Sequence, residues 1–193
     1  MTSPAVPPLK VSISKVVEFP EEDESIGEFS VTCFGPDAND IETNMALDIL
    51  GEYLSDSAVS VLSQTFIEIE DPMSTRIVHN TSTQLPCTLS LHFDSVPVEH
   101  LDAIEPKLFE VLQTVVDKGF DMERMAIVIE RERNRCILSA ERSPSEFWSL
   151  RLTYEVLYGS LDGRTLRESA SDLQYYDIVS KWTSEQWAAL LKR

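Results

Sequence analysis

The pattern of apolar and polar positions predicts few strands and many helices. Residues 27–34 (GEFSVTCF) alternate apolar with small polar side chains, which indicates a strand with one apolar face. Residues 75–80 and 87–93 (CTLSLHF) predict two further strands, and the polar stretch 81–84 is expected to join them as a hairpin. The sequence therefore predicts a small, mostly antiparallel sheet.

Apolar residues at helical spacing fill most of the remaining chain. We expect helices at 41–53, 59–67, 97–118, 121–139 and 143–158, and two short helices within 163–193. Three strands with helices between and after them are typical of an α+β two-layer sandwich, in which helices cover one face of the sheet. The last helices would form a C-terminal helical extension.

The first 24 residues differ in composition from the rest of the chain. Residues 1–10 (MTSPAVPPLK) contain three prolines, and residues 18–25 are strongly acidic. Neither stretch has an apolar face to bury, so residues 1–24 are predicted to be a linker or arm. Residues 25–193 are then one domain.

Charge narrows the partners that this chain can have. Lys and Arg number 16 against 33 Asp and Glu, which gives a formal net charge of −17. Such a field repels nucleic acid and anionic lipid, so we expect neither as a partner, whereas basic polypeptides would be attracted. Solubility alone is the simpler explanation of the charge. Because the sequence shows no secretory or transit signal and no spanning segment, we expect an intracellular location, cytoplasmic or mitochondrial.

Motifs for catalysis and metal binding are missing from the sequence. None of His79, His92 and His100 belongs to H-E-x-x-H or to its inverted form H-x-x-E-H. The sequence also has no G-x-S-x-G nucleophile motif, no P-loop and no G-x-G-x-x-G. We therefore expect no metal site, no cofactor and no catalytic centre in this chain.

The three cysteines carry little functional signal. Their number is odd and their spacings are wide, so no disulfide framework is implied. Each lies in an apolar pattern, which suits a reduced thiol in the core. They are Cys33, Cys87 and Cys136.

Two surfaces of the predicted sheet could bind something. Its polar face is small and uncharged, and it could line a cavity or meet another domain. The strand at 75–80 could be an edge that accepts an extended peptide. An ordinary solvated face and a protected edge are equally good interpretations. The residues of the polar face are Ser30, Thr32, Thr88, Ser90 and His92.

An ordered set of features resembles the pitrilysin/insulinase-type zinc metallopeptidases, especially the branch that includes the presequence protease. Within residues 27–72, a strand leads into Gly35-Pro36 and then into a helix that ends at Tyr53-Leu54. Residues 115–134 (VVDKGFDMERMAIVIERERN) add a junction between two helices at Gly119-Phe120-Asp121.

The resemblance implies a domain of the metallopeptidase LuxS-like fold. In that family four homologous domains enclose a peptide-digesting chamber, and the first domain carries the zinc helix. This chain resembles the second domain of the N-terminal half, which has no zinc ligands. Zinc is then expected only in the neighbouring catalytic domain, and the partners would be the other domains and a peptide substrate.

The same resemblance points to one strand as a place where substrate binds. In some relatives a strand of the second domain anchors the N-terminus of the substrate. The segment equivalent by order consists of Ile77, Val78, His79, Asn80 and Thr81.

Three functional hypotheses are compatible with the sequence. The chain is a non-catalytic, substrate-contacting domain of a zinc metallopeptidase, or a free-standing interaction module that uses its sheet edge or acidic surface, or a small-molecule enzyme that the motifs fail to reveal. The first hypothesis predicts an apolar interface with other domains. Trp148, Trp182 and Trp187 are candidates for it, although the helix core is the favoured place for them.

Overall fold

The computed structural model describes residues 9–20, 23–82, 87–171 and 173–192. In chain order the elements are β1 (Ile26–Phe34), α1 (Ile41–Ser55), α2 (Val61–Phe66), β2 (Arg76–Ser82), β3 (Thr88–Pro97), α3 (Leu101–Lys118), α4 (Met122–Arg142), α5 (Pro144–Tyr158), α6 (Arg164–Ser169), α7 (Leu173–Val179) and α8 (Ser184–Leu191). The predicted α+β class is confirmed. Residues 9–20 are exposed and form neither helix nor strand, and the domain boundary at residue 24 stays a prediction.

The sheet has the order β1-β3-β2, and both pairings are antiparallel. β3 lies in the centre, so β1 and β2 are the outer strands among the described residues. The predicted loop at 81–84 is partly wrong, because Thr81 pairs with Leu89 and Ser82 pairs with Thr88, which places both in β2. Residues 83–86 lie outside the described part of the chain.

Phe93 of β3 lies at the centre of the core. It is opposite Phe29 of β1 and Ile77 of β2. Its ring meets the rings of Phe29 and Phe66 edge-on, with centroids 5.6 Å and 5.1 Å apart. Because Phe66 belongs to α2, one side chain connects all three strands to a helix. Edge-to-face aromatic pairs of this kind stabilise a core beyond the area that they bury.

Helix starts follow local capping chemistry. The Asp40 carboxylate accepts from the backbone N–H of Thr43 at the start of α1, and Asp121 caps α4 in the same way. The predicted start of a helix at Pro97 is wrong, because β3 runs through Pro97 and a short 3₁₀ turn, Val98–His100, precedes α3.

The C-terminal extension holds three short helices among the described residues instead of the expected two. A turn at Ala170 and Ser171 ends α6. Thr183 then starts α8 with a capping box, in which its backbone N–H donates to Gln186 Oε1 at 2.8 Å.

Two expectations about individual side chains need correction. Cys87 is buried, but Cys136 is only half-buried and Cys33 is exposed, because the helices leave the end of β1 uncovered from Thr32 to Phe34. Trp187 is fully buried and Trp182 packs against the core, as favoured, whereas Trp148 is 43% exposed.

Replacement of Phe93 by alanine is expected to lower the free energy of unfolding by about 3–5 kcal/mol, since it empties the point where strands and α2 meet. Urea denaturation measures the change. The matched control is Phe109→Ala on α3, where the ring is exposed; it should change stability by less than about 0.5 kcal/mol. Equal losses in the two variants would contradict the central place of Phe93.

Candidate functional site

The open face of the sheet carries the predicted polar side chains. Register places Ser30 opposite His92 and Thr32 opposite Ser90, so these four residues point to the same side. His92 Nε2 lies 2.9 Å from Ser90 Oγ. Thr88 is on the same face, two residues before Ser90 on β3. All five are exposed or half-buried, and the structure therefore brings the predicted set together on one surface.

The five residues proposed as a substrate-contacting strand divide between the two faces of β2. Ile77 is buried in the core, and His79 and Thr81 point to the same side. Val78 is opposite His92 and Asn80 is opposite Ser90, so these two belong to the open face. What the five residues share is the backbone of an outer strand.

His79 packs on α1 at a position where no larger residue fits. A Cβ atom built on Gly51 would lie 2.4 Å from His79 Cδ2. Gly51 therefore allows the imidazole to lie directly against the helix. The signal in the sequence is a glycine in the middle of an otherwise regular helix, which commonly marks such a close approach.

The imidazole of His79 also contacts Ser55. Ser55 Oγ donates to the carbonyl of Gly51 at 2.8 Å, so it accepts from His79 Nδ1 at 3.3 Å. The neutral ring then carries its proton on Nδ1. The hydroxyl proton of Ser55 is donated to the helix backbone, so it is not donated to His79, and Ser55 is buried. Ser55, His79 and the nearby Asp48 therefore do not form a nucleophilic triad.

A groove of about 410 Å³ lies between α1, α4, α5, α7 and β2. Its polar lining includes Asp48, Glu132, Arg151 and Tyr176 in addition to His79. Sequence reasoning missed this grouping, since its members are spread over much of the chain and share no spacing pattern.

Burial in this groove shifts the pKa values of three of its side chains. Protein atoms crowd the Asp48 carboxyl although solvent still reaches the residue, and this partial burial raises its pKa; the Thr81 hydroxyl and His79 oppose the shift. Burial also raises the pKa of Tyr176 and lowers that of Arg151.

The neighbouring acidic groups are engaged in ion pairs. Arg131 bridges Glu52 and Asp56 of the α1 end, and Arg135 contacts Glu52 at 3.1 Å and Glu132 at 2.9 Å. These pairs hold α1 against α4. They neutralise Glu52 and Glu132 at the edge of the groove, and we assign the network a structural role.

Across the described ranges, no group of three or more His, Cys, Asp or Glu side chains is arranged to hold a metal ion. In the same part of the chain, no helix is both long enough and apolar enough to cross a membrane.

Comparison with known proteins shows which family has this fold. The family model described as the Peptidase M16 inactive domain matches residues 2–131. The chain belongs to this family. The predicted resemblance to pitrilysin-type metallopeptidases is thereby confirmed, and the M16 domain formed by this chain is not catalytic by itself.

Three eukaryotic relatives match almost the whole chain. Protein C3H1.02c of Schizosaccharomyces pombe is 36% identical over 94% of the chain, and YOL098C of Saccharomyces cerevisiae is 32% identical over 92%. C05D11.1 of Caenorhabditis elegans is 28% identical over 98%. The chain spans only 17% of each yeast protein and 19% of the nematode protein.

Solved structures share the fold at low sequence identity. An inactive peptidase domain from Bordetella parapertussis superimposes with a TM-score of 0.64 at 14% identity, covering 85% of this chain and 83% of that one. A protease from Helicobacter pylori gives 0.68 at 12% identity, with 89% of this chain and 39% of that one. The periplasmic protease PqqL of Escherichia coli gives 0.65 at 15% identity, with 89% and 18%.

Replacement of Gly51 by alanine is expected to destabilise the M16 domain by about 1–3 kcal/mol, because the new methyl group overlaps the His79 ring. The same substitution in a His79→Ala background should instead stabilise it by about 0.5–1 kcal/mol, as alanine normally does inside a helix. Urea denaturation of the four proteins completes the double-mutant cycle. An unchanged sign in the two backgrounds would show that His79 does not occupy this space.

Asp48→Asn is expected to stabilise the M16 domain at neutral pH. When the pKa of a carboxyl is raised on folding, its stabilising contribution is fully present below its ordinary pKa and is lost as pH rises through the folded-state pKa. At neutral pH, the ionised carboxyl of Asp48 is therefore held in a partly desolvated place at a cost that asparagine avoids. The gain in melting temperature should therefore be present near pH 7 and shrink toward about pH 3.

Asp162→Asn supplies a control of opposite sign. Hydrogen bonds from the Ser160 hydroxyl and the Arg164 backbone lower the pKa of Asp162, so its ionised form favours folding above its ordinary pKa. This variant should lose melting temperature at neutral pH, and the loss should disappear in acid. Parallel pH profiles for the two variants would contradict the assigned shifts.

Proposed function

We propose that this M16 domain forms a wall of the peptide-digesting chamber of a longer zinc metallopeptidase and contacts the substrate through β2 and the open face of the sheet. The observation that carries the proposal is the position of β2 as an outer strand beside the polar surface formed by Ser30, Thr32, Thr88, Ser90 and His92. The two charged side chains at the end of this face, Arg76 and Asp94, neutralise each other in an ion pair of 2.7 Å. The curated relatives, which are about five to six times longer than the matched segment, support a place within a larger protein.

An outer strand suits the binding of peptides of varied sequence. Its free backbone N–H and C=O groups pair with an extended chain irrespective of side chains, and neighbouring side chains add selectivity. Val78 and Asn80 would lie next to the outward-facing side chains of such a peptide, because they alternate with the inward-pointing Ile77, His79 and Thr81. Together with His92 and Ser90, they present small or uncharged side chains to the side chains of the peptide, so that few substrate sequences are repelled.

Zinc and the catalytic groups would be supplied by a neighbouring catalytic domain of the same peptidase. The net charge of −17 favours basic peptides as substrates. We also propose that the peptidase is located inside the cell, in the cytoplasm or in the mitochondria.

Hydrogen exchange tests the proposed contact directly. The longer polypeptide is treated with a chelator so that peptide is bound but not cleaved, and a basic peptide of about ten residues is added to saturation. Amides of β2 are expected to exchange several-fold more slowly with peptide present. Amides of β1, the opposite outer strand, should be unchanged. Protection of β1 instead of β2, or of neither strand, would contradict the proposal.

A matched pair of variants sharpens this test. Val78→Lys places a cation on the open face and should weaken binding of a basic peptide about five-fold, as expected for roughly 1 kcal/mol of repulsion near a surface. Val59→Lys adds the same charge at an exposed valine outside the sheet and should leave binding unchanged. Equal effects would show that only net charge matters. Stable binding of a separate protein by the 193-residue chain, with no peptidase domain involved, would favour the free-standing module.

A further inference from the structure

α5 has an unusual orientation, with its aliphatic side chains turned away from the domain. The side chains that face inward are aromatic or polar: Phe147, Arg151, Tyr154 and Tyr158 are half-buried. Among the described residues of α5 none is fully buried. A surface helix of a globular protein normally places its apolar stripe toward the core.

Specific contacts fix this orientation. The Arg151 guanidinium lies over the Phe147 ring at 3.5 Å, and its Nε donates to the carbonyl of Ser169 at 3.2 Å. On the same side, Thr165 Oγ1 donates to Glu155 Oε2 at 2.6 Å. If the helix rotated to bury its aliphatic face, these contacts to α6 would be broken.

The outward stripe is continuous and apolar. Trp148, Leu152 and Val156 follow one another at intervals of four residues, so they share a face of the helix. They are 43%, 48% and 84% exposed. Burial of such side chains is favourable, and a contiguous exposed apolar surface of this kind marks an interaction site.

We propose that the stripe formed by Trp148, Leu152 and Val156 is the docking face for another domain of the same, longer polypeptide. This inference rests on the proposed function, in which the chain acts as one domain of a peptidase. It adds the face by which the domain is held, opposite in character to the polar sheet that contacts substrate.

Charge decides between the possible occupants. A second copy of a chain with net charge −17 would be repelled, which disfavours a homodimer. An anionic membrane is disfavoured for the same reason, and the only basic residue of α5, Arg151, faces inward, so the helix lacks the cationic rim of interfacial helices. An apolar protein surface remains, and the relatives, of which this chain spans 17–19%, have ample further chain to supply it.

Site-specific photo-crosslinking in the polypeptide that the gene encodes tests the inference. A benzophenone amino acid at position 156 is expected to form crosslinks, in monomer-sized product, to residues outside 1–193. The same group at Gln113, an exposed polar position on α3, measures background reaction. Crosslinks to a second copy, to residues within 1–193 only, or to nothing above background would overturn the proposal, as would a gene that encodes no further domain.

Leu152→Glu serves as the second variant. It should reduce crosslinking from position 156 at least about ten-fold, because docking would bury the carboxylate. In the 193-residue chain alone it should leave the melting temperature unchanged; a clear fall would place Leu152 in the domain's own core and overturn the proposal. If amides of β2 exchange more slowly with peptide but position 156 forms no crosslinks, only the proposed docking face is contradicted. If position 156 forms crosslinks but the exchange of β2 is unchanged, only the proposed substrate contact is contradicted.

Discussion

The packing of Phe93 is the constraint on which the rest of this domain depends. It occupies the central strand, lies opposite Phe29 and Ile77 in the two outer strands, and meets Phe66 of α2 edge-on. A sheet of three strands gains little independent stability from hydrogen bonds between strands, and it needs a packed face. Phe93 provides the contact point at which that face and the helical layer join.

Once Phe93 is fixed inward, the directions of the neighbouring strand residues are determined up to the register shift beyond Phe29. Strand residues alternate with a period of two, so Ser90 and His92 must face outward, and so must Val78 and Asn80 across from them. A slip of one residue would bury the polar set and expose the core. The open polar face of this M16 domain is thus a consequence of its aromatic core and needs no separate device to build it.

Much of this arrangement was predictable from local patterns in the sequence, and the failures have identifiable causes. The alternation in β3 was clear because apolar side chains face the core at every second position and polar side chains face outward between them. The helix expected from Pro97 failed because strand pairing extended β3 over residues that proline chemistry alone would assign to a helix. The exposure of Cys33 depends on which helices reach the end of β1, and no local pattern records that.

The candidate site shows the same division. The polar face was predicted as a set, since one strand period defines it. The groove around Asp48 was not, because its members come together only when α1, α4, α5 and α7 have packed. His79 lies between these two cases: its strand was identified, but its inward direction is set by Ile77 in the core and by the space above Gly51.

The distribution of charge in this domain bears on how a non-catalytic M16 domain can still be specialised. Arg131 and Arg135 on α4 pair with Glu52, Asp56 and Glu132, and this pairing neutralises carboxylates beside the groove. The open sheet face carries mainly uncharged side chains, with Arg76 and Asp94 paired to each other, and α5 carries aliphatic side chains outward. A domain that acted alone would gain stability by burying that aliphatic stripe and would have no need of polar contacts on the inner side of α5. Under the proposed function, the three surfaces differ in chemistry because they meet different neighbours: the ion pairs meet only the domain itself, the sheet would meet peptide, and α5 would meet an apolar surface of another domain.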